Sequence, residues 1–171
     1  MRNLLVVVLM LFFPCLAIAE PSPFGLEIGK ATISDVKAKY KAKFVGINRY
    51  SNGEMYDLDV AGLSFDGLQS CRIIFSKDGK LLAVLTTLPK EKFDYLFKIL
   101  KGKYRLVNSN IPFVGDRSAK FLDGNTEVTL DAPHLSFTME MNYIHKELMK
   151  TYRDQSSKEQ QKKKQKEASQ L

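Results

Sequence analysis

Apolar residues recur along this chain in several distinct rhythms, and each predicts its own kind of element. Residues 4–16 are apolar throughout apart from Pro14 and show no period. Residues 32–40 place Ile33, Val36 and Tyr40 on one helical face, with Ser34 or Thr32 positioned to cap it. A second helix opens after Pro89 and ends at Gly102. Its Phe93, Leu96, Phe97 and Leu100 fall at the i, i+3, i+4, i+7 spacing of a stripe that faces a core. Residues 71–75 and 80–88 read as a hairpin joined by Ser76-Lys77-Asp78-Gly79, where Gly79 supplies the positive φ such a turn needs.

Farther on, a meander of three strands is predicted over 118–122, 126–131 and 135–142, with turns at Asp123-Gly124-Asn125 and Ala132-Pro133-His134. Its last strand alternates, placing Leu135, Phe137, Met139 and Met141 on a buried face and Ser136, Thr138, Glu140 and Asn142 on a solvated one. The pattern is weaker elsewhere. A strand over 44–50, a turn at Ser51-Asn52-Gly53 and a return over 55–60 are expected, followed by loops over 61–69 and 108–117. Residues 143–166 read as a helix docked through Ile144, Leu148 and Tyr152. No large apolar residue follows Tyr152 until Leu171, so the rest of that helix is expected to fray in solvent.

The apolar run at the start changes the picture most. Arg2 precedes it, and Ala17-Ile18-Ala19 follows it in the small-x-small order of a peptidase site. A run of this length falls short of the ~20 residues needed to span a bilayer. Residues 1–19 are therefore expected to be a signal peptide cut between Ala19 and Glu20, which makes the protein periplasmic or secreted. Cys15 leaves with the signal; Phe12-Phe13-Pro14 before it is too bulky for lipidation. Cys71 is then the only thiol, so no intrachain disulfide can form. It is either a buried small hydrophobe or a reactive group.

Charge narrows the partners. The whole chain carries +7, but from Lys150 onward seven basic residues face three acidic ones, while residues 20–149 hold 18 basic and 16 acidic. The basic character belongs mainly to the tail. A nucleic-acid reader would carry its basic footprint on the folded face, so no nucleic-acid partner is expected. The organisation that results is a signal over 1–19, an α+β domain over 20–149 and a basic Lys/Gln-rich tail, helical or disordered, over 150–171.

Candidate chemistry is sparse. His134 and His145 are the only histidines, and no Gly-x-Ser-x-Gly elbow is present. Neither a metal-ligand spacing nor a phosphate-cradling glycine loop is found, so no catalytic, metal or cofactor residue is assigned. Asp57, Asp59 and Asp66 form the one acidic group dense enough to consider. They lack the glycine and terminal Glu of a calcium loop, which leaves solvated strand carboxylates or a hydrolase of unfamiliar type. Two loops hold residue types enriched at protein interfaces: Arg49, Tyr50, Met55 and Tyr56 around one turn, and Phe113 beside Pro112 in another. These side chains either fold back as lids over the sheet or form a partner-binding patch.

Two blocks repeat one order, a helix with a Lys-x-Lys-Tyr ending followed by strands with an Asp-Gly hairpin. Lys37-Ala38-Lys39-Tyr40 answers Lys101-Gly102-Lys103-Tyr104, and Asp78-Gly79 answers Asp123-Gly124. The two matches have different offsets, so drifted duplication and coincidence both remain open. The stretch Ile28-Gly29-Lys30-Ala31-Thr32-Ile33-Ser34-Asp35-Val36 resembles the first helix of small exported bacterial domains, the beta-lactamase-inhibitor-protein type and the BamE/SmpA-like lipoproteins of outer-membrane assembly. This chain has one more residue between the Gly and the Thr and lacks their lipidated cysteine and disulfides. The resemblance implies a protein-binding module with helices on one face of an antiparallel sheet, and it carries over no functional residue.

The expected architecture is thus α+β: an antiparallel sheet, in one or two helix-plus-meander units, with helices on one face and a C-terminal helical tail. The expected function is a non-enzymatic domain that binds another envelope protein or envelope component. The alternatives are the hydrolase just named and an accessory protein whose tail makes peripheral membrane contact.

Overall fold

The computed structural model describes residues 20–170; the expected signal and its cut after Ala19 fall outside the described residues. The elements are α1 (Ile33–Lys39), β1 (Ala42–Ile47), β2 (Asn52–Leu58), β3 (Ser70–Ser76), β4 (Leu81–Pro89), α2 (Phe93–Lys103), β5 (Arg105–Asn110), β6 (Arg117–Asp123), β7 (Thr126–Ala132), β8 (Thr138–His145) and α3 (Lys146–Ala168). All eight strands join one antiparallel sheet in the order β1-β2-β3-β4-β8-β7-β6-β5. The fold is α+β.

Read from either edge, the order is four strands in sequence, each set preceded by a short helix. The two units meet where β4 pairs with β8, from Ala83↔Ile144 to Pro89↔Thr138. They are related by a pseudo-two-fold axis normal to the sheet. The Lys-x-Lys-Tyr endings are equivalent under it: the N–H of Tyr40 donates to Val36 and that of Tyr104 to Leu100, each closing its helix before an edge strand. The Asp-Gly turns are not equivalent. Asp78-Gly79 joins β3 to β4, whereas Asp123-Gly124 joins β6 to β7. Their different offset in sequence reflects this.

Alternation along the strands separates two apolar clusters. Tyr56, Ile73, Phe75, Val84, Val128, Leu130, Met139, Met141 and Tyr143 face α1 and α2, joined by Val36, Phe93, Leu96 and Leu100 in one continuous core. Their neighbours Met55, Ile74, Ala83 and Ile144 point to the other face, where Leu148 of α3 covers them. So α3 does not share the face of α1 and α2. Thr32 caps α1 in a reciprocal box, its hydroxyl accepting from the Asp35 N–H while the Asp35 carboxylate accepts from the Thr32 N–H at 2.8 Å.

Several boundaries differ from the sequence expectation. The span 105–110 is strand β5, although 108–117 reads as loop. Its Arg-Leu-Val-Asn-Ser-Asn composition is polar because β5 is an edge. Both edge strands carry a bulge, at Val45 in β1 and Val107 in β5, which breaks the flat row of unpaired groups an edge would offer. The first turn is built by Asn48, whose side-chain oxygen accepts from the N–H groups of Tyr50 and Ser51. Gly53 is required beyond it, since a Cβ there would lie 2.1 Å from the Phe75 carbonyl oxygen. Strand β8 starts at Thr138, not at 135, with consequences for the site below.

Candidate functional site

The registers place the connections at two ends of the sheet. The β1–β2, β3–β4 and β6–β7 turns lie at one end with the start of α3. The 59–69 loop, the turn after Pro89, the β5–β6 loop and the β7–β8 loop lie at the other.

At that second end, large apolar side chains stand in water. Phe113 is 105% exposed, Phe137 93%, Leu135 92% and Val114 66%, with Ile111 at 40%. Single exposed apolar residues are ordinary, but a group on adjoining loops is not. Sequence alternation put Leu135 and Phe137 on the buried face with Met139 and Met141, and this is corrected. Met139 and Met141 are buried, but strand pairing stops at Thr138, so the two residues before it have no sheet beneath them.

These loops are held in place. The N–H of His134 donates to the Asp116 carboxylate at 2.7 Å, tying the β7–β8 loop to the β5–β6 loop. The Asn110 side-chain amide donates to the Asp116 carbonyl across the base of its own loop. Lys90 donates through Nζ to the carbonyls of Pro133 and His134, and its N–H donates to the Phe137 carbonyl at 3.0 Å. The charges around the base are internally engaged. Arg117 pairs with Asp94 while lying 4.3 Å from the Phe93 ring, and Lys92 pairs with Asp66. The result is an apolar tip on loops tied to one another and to Lys90, with Arg117 and Lys92 each paired to a carboxylate.

The residues singled out from sequence do not converge on one patch. Phe113 belongs to the tip. Arg49, Tyr50 and Met55 lie at the opposite end and opposite edge, against α3: Arg49 pairs with Glu159, and the Tyr50 ring meets Tyr152 edge-on at 5.1 Å. Tyr56 points to the other face, is 6% exposed and packs edge-on with Phe75 at 6.0 Å. Its hydroxyl donates to Glu54, which pushes its ionisation above the usual tyrosine range. Tyr50 and Met55 pack toward α3 and Tyr56 into the main core, while Arg49 stays exposed. Leu135 and Phe137 are the site residues that sequence reasoning missed; their signal was position beside Pro133, outvoted by alternation.

The acidic group disperses over three settings. Asp57 sits on the α3 side of the sheet in a two-bonded pair with Arg72, whose guanidinium holds its carboxyl below the usual range. Asp59 accepts from the Ala61 N–H in the turn after β2, and Asp66 pairs with Lys92. Asp57 and Asp59 line one shallow concavity with Ser70, Arg72, Glu140 and Asn142. Cys71 is 1% exposed, and burial pushes its thiol up to about 12, which removes thiolate chemistry at neutral pH. His134 lies at the tip, while His145 caps α3 at the other end. Among the described residues no three His, Cys, Asp or Glu side chains are grouped to hold a metal ion, and no helix is long and apolar enough to cross a membrane.

The expected domain boundary at residue 150 falls inside α3, which runs unbroken from Lys146 to Ala168. Leu148 is its one buried side chain, and Arg153 reaches Glu127 at 3.9 Å. Lys158, Lys162, Lys163, Lys164 and Lys166 lie beyond these contacts. Because α3 starts at the first end and passes the β1–β2 turn, its lysines and the apolar tip occupy different corners. In comparison with known proteins, the chain matches no family model, no curated protein and no solved structure.

Proposed function

We propose that the protein is an exported, non-enzymatic binding domain of the periplasm or exterior, and that the tip formed by Phe113, Val114, Leu135 and Phe137 is its docking element. The observation that carries this reading is the near-complete exposure of Phe113, Leu135 and Phe137, with Val114 about two-thirds exposed (66%), on loops pinned to each other and to Lys90. Apolar side chains left in water contribute nothing to folding. Buried against a partner, each is worth ~1.5–3 kcal/mol, or roughly 6–12 kcal/mol for four. Association costs ~4–15 kcal/mol in lost freedom. Set against that cost, the four side chains alone give at most about 8 kcal/mol, so micromolar is the tightest affinity expected of the tip.

Export is supported by the charged, apolar, small-x-small order of residues 1–19. The resemblance of residues 28–36 to small exported protein-binding domains motivates the same reading. A photoactivatable residue placed at 113 or 137 in cells is expected to give protein or lipid adducts, read by mass spectrometry, that Leu135→Asp removes, while the same residue at exposed Lys77 gives none. Identical patterns at all three positions, or turnover of a substrate by the purified protein, would reverse the reading.

A further inference from the structure

We infer that the occupant of the tip is the acyl layer of a lipid surface, entered by the two loops as a shallow wedge; this rests on the tip being the docking element. Charged residues make up 26% of the chain, yet residues 111–115 and 133–137 contain no Lys, Arg, Asp or Glu. Ions begin immediately outside those segments, at Asp116, Arg117 and Asp131. Phe113, Leu135 and Phe137 are so fully exposed that they must protrude from the surface.

Shape and charge argue against a standard protein interface. Such an interface spreads ~800 Å² per partner over roughly 20–30 residues with a polar rim, whereas this tip is two short protruding loop segments, 111–115 and 133–137, without Lys, Arg, Asp or Glu. A lipid layer has no such minimum, because binding grows with the apolar area inserted, typically ~5–10 Å deep. Part of the backbone polarity is met within the loops. Pro112 and Pro133 bring no N–H, the Phe137 carbonyl accepts from Lys90, and the Ser136 N–H donates to the Pro133 carbonyl. Polar groups entering hydrocarbon need partners of this kind. The rim cations are engaged by Asp94, Asp66 and loop carbonyls, so attraction to anionic headgroups is not what drives entry. The lysines of α3 occupy another corner and are not needed.

The test uses protein purified after expression of the full chain, its N-terminus defined by mass spectrometry, with phosphatidylcholine vesicles. Co-flotation is expected, unchanged within about twofold by salt or by truncation after Ser157, and reduced at least tenfold by Phe113→Asp or Phe137→Asp. An environment-sensitive dye on Val114→Cys, which is labelled selectively because Cys71 is buried, should be quenched by brominated acyl chains. Unaltered melting of the aspartate variants excludes misfolding. Absence of flotation, flotation that the aspartates leave intact, or dependence on anionic lipid and the truncated lysines would each overturn the inference. Tip-specific protein crosslinks in cells without flotation would overturn the lipid occupant and leave the docking element standing; loss of both would remove the two together.

Discussion

Glu20, the first residue after the expected cut, is tied into the far half of the fold. Its Oε1 accepts from the Asn125 N–H and side-chain amide, both at 2.8 Å, and its Oε2 accepts from the Thr126 hydroxyl at 2.7 Å. Thr126 is fully buried. Replacing Glu20 with Ala lets water reach the Asn125 groups but strands the hydroxyl, at about 1–3 kcal/mol, and loses bonds to a charged acceptor worth roughly 1 kcal/mol more. The expected loss is about 2–4 kcal/mol, a fall in Tm of roughly 5–15 °C for a chain of this size. Glu20→Gln keeps the amide oxygen as acceptor and should lose less than half of that.

Gly124 offers a cross-check. A Cβ there, at φ +55°, would lie 2.6 Å from the Glu20 carboxylate. Gly124→Ala should therefore cost ~1–2 kcal/mol of backbone strain plus part of the Glu20 latch. In the Glu20→Ala background only the strain remains. Urea unfolding of the four proteins in this cycle should show a sub-additive double variant, by about 1 kcal/mol or more. Additivity within ~0.5 kcal/mol, or a single Glu20→Ala variant as stable as the wild type, would refute the latch.

Cys71, buried in β3, should resist thiol reagents at pH 8 in the native protein and react at the rate of unfolding; fast native labelling would contradict the packing. The Asp35 and Asp57 carboxyls are held below their ordinary value of 3.8, by the Thr32 backbone N–H and by Arg72. The unfolded chain binds more protons there, so their stabilisation is present above about pH 4 and lost as pH falls through the depressed folded values. Arg72→Ala should accordingly flatten the acid limb of a stability–pH curve, and an unchanged limb would show the pair to be inert. Tyr152→Ala removes the edge contact to Tyr50, at about 0.5–1.5 kcal/mol; amide exchange should rise from residue 152 onward in α3, and unaltered exchange would mean that the helix is held elsewhere.

Much of the fold could be read from the chain because its strongest periods coincide with burial. The stripe Phe93, Leu96, Leu100 packs in the main core as its spacing requires, and the Lys-x-Lys-Tyr match locates two equivalent helix ends. Local pattern reports which side of an element is apolar, and in these places the neighbour it needs lies nearby in sequence. Tertiary structure decided the rest. Only the pairing of β4 with β8, whose partners lie 49 to 61 residues apart in the chain, joins two meanders into one sheet, and pairing with β6 makes polar β5 a strand. Alternation gave Leu135 and Phe137 the same parity as Met139 and Met141, but parity cannot say where the partner strands end. Pairing runs out at Pro89↔Thr138, so the same period that buries two methionines leaves a leucine and a phenylalanine in water, and the tip exists for that reason.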